Sequence, residues 1–246
     1  MQKFARYIIL LSLPAVLLAS CEMLVDLTTD DSTDQIVYKI KPPFTELSLR
    51  EDMDLELIES DDSVLIIDGP KVILDNLTIQ NVEGKVEINF HKNGNWKYDK
   101  PMLQLKIPKI VPIKLYRFNN LFANDTLRTE VLSVFSDGTG DVHLMVNNQK
   151  VICNGTHISN FYVSGKTQQL NVSVSYSSSI KGADLKAENV TVKSFASNNQ
   201  IVNPNKKLSC TIRQKGNIYY VNKPEELLVN ISDDAKGRAI FDKNAK

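Results

Sequence analysis

Short stretches in which apolar and polar residues alternate recur along most of the chain, separated by Asn, Gly, Asp and Lys. Alternation with a period of two is typical of strands with one buried face, and the abundant Val, Ile and Thr residues favour strands further. Long patterns with the period of an amphipathic helix are absent from the sequence. The chain is therefore predicted to be all-β.

In the second half of the chain these stretches return at a nearly constant interval. Their first apolar residues are spaced by 19, 19, 19, 20, 18 and 19 residues, at Ile113, Leu132, Val151, Leu170, Val190, Leu208 and Leu227. The residue two positions further on is apolar each time, and a second apolar column follows at Val142, Phe161, Ile180, Ile201 and Ile218. Two strands per repeat predict a β-solenoid with rungs of about 19 residues, whose stacking buries a continuous core. A β-sandwich stays an alternative, because its strands also recur every ~8 to 12 residues.

The region from residue 36 to 108 contains strand-like segments with less even spacing. It is interpreted as an irregular β region that caps the solenoid, because a bare terminal rung would expose a sheet edge. The β-helix repeats are assigned to residues 109–240, and residues 36–240 are expected to form one domain.

The N-terminus has the composition of an export signal. Lys3 and Arg6 precede an apolar run that ends in small residues, and residues 1–20 are interpreted as a lipoprotein signal peptide. The sequence Leu-Ala-Ser-Cys ending at Cys21 resembles a bacterial lipobox, so Cys21 is predicted to carry the lipid. A transmembrane anchor is the alternative, but the run is shorter than the about 20 residues that span a bilayer. Residues 21–35 are polar and acidic, which is typical of a flexible tether.

Net charge narrows the range of partners. Removal of the signal leaves 29 − 2 = 27 basic against 29 acidic residues. This balance argues against nucleic acid as a partner, because nucleic-acid binding depends on clustered Lys and Arg.

The expected location is the cell envelope, most simply the outer membrane. The sequence leaves open which face of the membrane carries the domain.

Four segments resemble one protein family: "VEGKVEI" (82–88), "SDGTGDVHL" (136–144), "LKAENVTV" (185–192) and "KGNIYYVNKP" (215–224). Their order and spacing are similar to those of the putative auto-transporter adhesin, head GIN domain family of Bacteroidota. The likeness spans about residues 38–230, and it departs from the family where that family prefers glycines in later rungs. The resemblance implies a right-handed parallel β-helix and an adhesin-like role without a known ligand.

Residues suited to catalysis are sparse. No nucleophile elbow, metal-ligand motif or cofactor motif occurs, so no cofactor and no metal site are expected. The outward positions of the predicted strands offer one carboxylate, Asp141, where a polysaccharide-cleaving enzyme needs a pair. The protein is therefore predicted to be non-enzymatic. An envelope enzyme acting on polysaccharide, or a structural subunit of an envelope assembly, remains an alternative.

Hydroxyls and amides dominate the outward columns, and most of them are interpreted as solvated sheet residues. The column with the most binding chemistry contains His143, Tyr162, Lys181 and Tyr219, which form the candidate binding face. Its expected partner is a glycan or another envelope protein. Ser32, in the predicted tether, resembles an O-glycosylation acceptor of Bacteroidota.

Two cysteines remain after Cys21. Cys153 and Cys210 occupy the same inward column three rungs apart, which is roughly 14 Å at about 4.8 Å per rung. Two α-carbons more than about 7 Å apart cannot be joined by a disulfide. No disulfide is therefore predicted, and both thiols are expected to be buried and unreactive.

Overall fold

The computed structural model describes residues 32–91 and 99–246. It is a β-solenoid of about six turns with rungs of roughly 20 residues, which confirms the predicted fold class. The elements, in chain order, are β1 (Thr33–Lys39), β2 (Glu46–Leu49), β3 (Asp54–Glu59), β4 (Val64–Pro70), α1 (Lys71–Leu74), β5 (Leu77–Val82), β6 (Lys85–Phe90), β7 (Met102–Ile107), β8 (Ile113–Phe118), β9 (Leu121–Phe122), β10 (Val131–Tyr176), β11 (Ser179–Ala196), β12 (Gln200–Ile212), β13 (Ile218–Tyr220), β14 (Glu226–Ile231) and β15 (Ala239–Phe241). The predicted signal and Cys21 lie outside the described residues.

Parallel pairing joins each rung to the next, and β10, β11 and β12 each turn corners of the solenoid without a break in the strand. β10 pairs with β11 and β11 with β12 in parallel. β12 then pairs with β13 and β14, and β15 extends the sheet beyond β13. Parallel pairing between rungs is the arrangement of a solenoid, so the β-sandwich alternative is wrong.

The first rungs are stacked in a different order from the chain. β2 lies between β6 and β8, and β3 lies between β7 and β9, all in parallel pairs. The rung made of β2 and β3 is thus inserted between the rung of β6 and β7 and the rung of β8 and β9. The region 36–108 therefore contributes two rungs to the solenoid as well as its cap.

Antiparallel strands close the N-terminal end of the stack. β4 pairs with β7, β1 pairs with β4, and β5 pairs with β6. β1 begins at Thr33, inside the segment 21–35 that was assigned to the tether. Three strands thus cover the outermost rung on this end.

One rung has a different register from the prediction. The repeat placed Ile113 in line with Leu132, but Ile113 pairs with Val134 and Leu115 with Ser136. The rung that begins at Ile113 is therefore two residues longer than the predicted 19 residues. A shift of two residues keeps every side chain on its own face of the sheet, so the alternation of apolar and polar positions cannot detect it. The predicted alignments of Leu170 with Val190 and of the later rung starts are confirmed.

The second apolar column also contains one wrong assignment. Ile201 pairs with Lys181, an outward position, and Gln200 pairs with Ile218 in the inward column. Gln200 is fully buried, and its side-chain carbonyl accepts a hydrogen bond from the Ile180 amide at 2.8 Å. Its amide group donates to the Asn198 carbonyl at 2.7 Å. A polar side chain fits the core here because the adjacent corner leaves backbone groups for it to satisfy.

The segment "SDGTGDVHL" runs through a corner where neighbouring rungs approach closely. A β-carbon on Gly138 would lie 1.9 Å from the Arg117 carbonyl oxygen, and one on Gly140 would lie 1.8 Å from that of Asn119. Both oxygens belong to the backbone and cannot move aside cheaply. The two glycines therefore allow the backbones of consecutive rungs to pass each other at this corner.

Candidate functional site

The first strands of successive rungs, such as β8 and β14, form the first sheet, and the second strands, such as β9, β13 and β15, form the second sheet. The four residues of the candidate binding face lie in one column on the second sheet. Tyr162 pairs with Lys181, Lys181 with Ile201, and Ile201 with Tyr219. His143 stands one rung before Tyr162 and pairs with Phe122 of β9. The predicted register is wrong by one residue at Gln200. Ile201 therefore occupies the position in this column that was expected for Val202.

The aromatic part of this column is a stacked ring pair. The rings of His143 and Tyr162 are parallel within 4°, and their centroids are 4.4 Å apart. The Nε2 atom of His143 lies 4.0 Å from Oδ2 of Asp141 on the same strand. Parallel strands place successive rungs about 4.8 Å apart, which is the separation at which flat side chains stack. Both side chains are exposed to solvent.

A groove of about 1030 Å³ runs along this column and takes in His143, Tyr162 and Lys181. Its lining also includes Val221 and residues 243–246, of which Lys243 and Lys246 carry side-chain positive charge. Asp184 adds a carboxylate to the lining. The groove therefore combines an aromatic pair with several cations, a combination suited to hydroxylated or acidic ligands.

Tyr219 belongs to the column but not to the groove. Ile201, which is buried, separates it from Lys181, and the Tyr219 hydroxyl accepts a hydrogen bond from Nδ2 of Asn217 at 3.2 Å. The structure thus brings together three of the four predicted residues and places the fourth beyond a buried side chain.

The polar column beside the face is occupied by its own hydrogen bonds. Nδ2 of Asn160 donates to Oδ1 of Asp141 at 3.0 Å, and the Ser179 hydroxyl donates to Oδ1 of Asn160 at 2.8 Å. The Asp141 amide donates to Oδ1 of Asn120 at 3.1 Å. This ladder ties four rungs together, so these amides and hydroxyls stabilise the solenoid.

A second cluster, which sequence reasoning missed, lies at a corner of the solenoid. Nδ1 of His157 is 2.8 Å from Oδ1 of Asp137, and the Thr156 hydroxyl donates to the same carboxylate oxygen. The His157 ring also stacks on Tyr176, with centroids 5.3 Å apart. The signal was present in the repeat, because Asp137 and Thr156 are 19 residues apart, as are His157 and Tyr176.

The corner cluster borders a shallow groove of about 460 Å³ that also exposes Phe118 and Ile158. Arg117, His157 and Tyr176 all have positive φ angles there, of 63°, 60° and 55°. The left-handed conformation is unfavourable for non-glycine residues. The stacking and the hydrogen bonds to Asp137 offset part of that cost at His157, which indicates a structural role for this contact.

Residues 32–91 and 99–246 contain no group of three or more His, Cys, Asp or Glu side chains arranged to hold an ion. In the same ranges no helix is long and apolar enough to cross a bilayer.

Cys153 and Cys210 are free and buried inside the solenoid. Burial raises the pKa of each thiol to about 12, because the thiolate would lose its hydration in an apolar interior. At pH 8 only roughly one such thiol in 10⁴ would be ionised, and the thiolate is the reactive form.

We therefore expect neither cysteine to react with a thiol reagent such as N-ethylmaleimide in the native protein at pH 8. Both should react within minutes after unfolding in guanidinium chloride. Peptide mass spectrometry assigns the label to each position and serves as its own control through the unfolded sample. Rapid labelling of either site in the native protein would contradict the inward placement.

Comparison with protein families gives a match over most of the solenoid. A family profile described as "Putative auto-transporter adhesin, head GIN domain" matches residues 43–224, which are 182 of the 246 residues. The matched range includes three residues of the candidate face that line the groove, as well as Tyr219. No curated protein is similar enough in sequence to be recognised as a relative.

Several solved structures share the fold at low sequence identity. A putative adhesin from Bacteroides fragilis NCTC 9343 has a TM-score of 0.76 and 15% identity, with 87% of this chain and 99% of that chain covered. A putative lipid binding protein from Parabacteroides distasonis ATCC 8503 has a TM-score of 0.65 and 14% identity over 86% and 98% of the two chains. A putative adhesin from Parabacteroides merdae ATCC 43184 has a TM-score of 0.62 and 15% identity over 85% and 95%. At these identities the likeness establishes the fold.

Proposed function

Because the chain belongs to the putative auto-transporter adhesin, head GIN domain family, we propose that it is a non-enzymatic adhesin-like protein of the cell envelope that binds a glycan. Its groove beside His143, Tyr162 and Lys181 is the proposed binding site. The fold supports this role, since a solenoid displays a long regular surface on which a linear polymer can lie.

The proposed attachment to the membrane rests on the sequence. Cys21, at the end of the lipobox-like segment, would carry the lipid, and the polar residues after it would give the domain reach. One acyl chain alone binds a membrane only marginally, whereas two or more give a stable anchor. The outer membrane is the proposed location.

The stacked pair of His143 and Tyr162 is the observation that carries the binding proposal. Tyr162 keeps 37% of its surface exposed beside the groove, although its ring is already fixed by the stack. A ring held in place loses little conformational freedom when a sugar packs against it. Lys181, next in the column, can donate hydrogen bonds to hydroxyl or carboxylate oxygens of the same ligand.

The test compares variants of the full chain, purified in detergent, by affinity electrophoresis in gels containing polygalacturonate, dextran or mucin. We expect at least one of these polysaccharides to retard the protein. His143→Ala and Tyr162→Ala should each weaken that retardation about tenfold, which corresponds to about 1.4 kcal/mol of binding free energy. Phe195→Ala is the matched control, because Phe195 is an exposed aromatic residue on the first sheet.

Two results would contradict this proposal. Retardation that neither alanine variant changes would remove the groove as the binding site. Absence of retardation by all three polysaccharides would count against a glycan and in favour of an envelope protein as the ligand. Release of shorter sugar fragments from the bound polysaccharide would instead support the alternative of an enzyme.

A further inference from the structure

The two ends of the solenoid differ in how they are closed. At the N-terminal end, β1, β4 and β5 add antiparallel strands to the outermost rung. The C-terminal end is the rung made of β14 and β15. Within residues 32–91 and 99–246, β14 pairs only with β12, and β15 pairs only with β13. The last rung thus presents two adjacent strand edges.

Apolar side chains are exposed on this last rung. Leu227 and Val229 occupy the inward columns, where Leu208 and Cys210 of the preceding rung are buried, yet each is 42% exposed. Leu228, on the outward face, is 46% exposed. Among the described residues, none pairs with the free edge of β14 and covers these inward side chains. An exposed apolar edge strand of this kind is a site at which a strand of another chain can form backbone hydrogen bonds.

Backbone groups of β14 are also directed at the open edge. The Ser232 amide donates to the Ile212 carbonyl at 3.0 Å, toward β12. Since the direction of these groups alternates along a strand, the amides and carbonyls of Leu227, Val229 and Ile231 point away from β12. They are free to pair with a strand on the other side.

We propose that a second copy of this chain completes the end, with β14 of one copy antiparallel to β14 of the other around a twofold axis. The end offers two strand edges side by side, and another solenoid end of the same shape can pair with both, whereas a single added strand would cover one. The antiparallel cap closes the opposite end, so the contact is self-limiting and gives a dimer instead of a fibre.

The register of this pairing follows from the faces of the strand and from the apolar side chains on it. A twofold axis normal to the sheet keeps inward residues opposite inward residues, so the axis must pass through a residue of β14. When it passes through Leu228, this residue faces Leu228 of the second copy, and Leu227 faces Val229. Both pairs bring apolar side chains together, which is a favourable cross-strand arrangement.

The neighbouring registers are less favourable. An axis through Val229 would place Leu228 opposite Asn230 of the second copy, an apolar side chain against a polar one. An axis through Leu227 would place Glu226 opposite Leu228. Hydrophobicity therefore selects the register centred on Leu228.

Cysteine cross-linking in the full chain, in its own membranes, tests this register. With Leu228→Cys the two new cysteines face each other as a pair without backbone hydrogen bonds, where α-carbons are about 4.5 Å apart. We expect most of the protein to run as a disulfide-linked dimer on a non-reducing gel after mild oxidation. Glu226→Cys is the matched control, since its two copies would be about 14 Å apart, beyond the about 7 Å that a disulfide bridges.

A second pair of variants keeps Leu228 in place. Glu226 faces Asn230 of the second copy in this register, so Glu226→Cys and Asn230→Cys should cross-link when expressed together and not when expressed singly.

The proposal would be overturned if Leu228→Cys and the mixed pair both stay monomeric. It would also be overturned if Glu226→Cys alone cross-links as well as Leu228→Cys, because that result indicates random collision or another register. The glycan groove lies on the second sheet, away from β14, so Tyr162→Ala should leave the cross-link unchanged.

Discussion

Replacing Cys21 with serine is expected to abolish lipid attachment completely. The thioether that holds the diacylglycerol requires the cysteine sulfur, and a hydroxyl at the same position cannot replace it. Since each buried acyl CH₂ contributes about 0.8 kcal/mol of membrane affinity, loss of the chains removes the proposed anchor. The measurement is metabolic labelling with an alkynyl fatty acid, followed by detection of the label on the purified protein.

The same experiment has a second readout and an internal control. Lipid transfer precedes cleavage of the signal, so Cys21→Ser should also retain residues 1–20, which intact mass reveals. Cys153→Ala is the matched control, because Cys153 is buried in the solenoid and should leave the label unchanged. Fatty acid label on the Cys21→Ser protein would show that the lipid is elsewhere or that the lipobox interpretation is wrong.

Phe161→Ala is expected to lower the free energy of unfolding by about 3–5 kcal/mol. Phe161 is fully buried, and it is among the largest side chains in the core. It stacks in register with Ile180, and its ring lies where a β-carbon on Gly155 would come within 2.7 Å. Truncation would therefore leave a cavity in a middle rung, with little freedom for the rigid stack around it to close. Denaturation in guanidinium chloride, followed by circular dichroism, measures the change.

The neighbouring residue provides the control. Tyr162 follows Phe161 on the same strand and points outward into the groove. Tyr162→Ala should cost at most about 1 kcal/mol through its stack on His143, while it weakens glycan binding. Equal destabilisation by the two variants would mean that the assignment of inward and outward positions is wrong.

The two variants should also differ in the number of unfolding transitions. In a solenoid each rung contacts mainly its neighbours, so loss of a middle rung weakens the coupling between the two ends. A Phe161→Ala protein that unfolds in two steps instead of one would follow from that architecture. The Tyr162→Ala protein should keep a single transition.

The sequence by itself determined the class of fold. Residues in the inward columns are apolar in nearly every rung, because each rung buries its face only against the next. This requirement leaves a repeat that can be read from spacing alone. The same repeat placed His143, Tyr162 and Lys181 on one outward column. It also placed Cys153 and Cys210 inside, where burial raises their pKa.

Only the tertiary structure decided the finer register and the order of the first rungs. A shift of two residues preserves the alternation, so the pairing of Ile113 with Val134 could not be distinguished from pairing with Leu132. Gln200 reads as an outward polar residue, and its burial depends on backbone groups of a neighbouring rung that no local pattern reveals. The insertion of β2 and β3 between later strands is likewise a long-range pairing.

At the two ends of the solenoid, the sequence likewise predicted one feature and missed another. The sequence indicated that the N-terminal region caps the stack, because its segments are strand-like but irregular. It gave no sign that Leu227 and Val229 are exposed, since both continue the buried columns of the repeat. Whether such residues are covered depends on what packs beyond them, which is a property of the assembled stack and not of the local sequence.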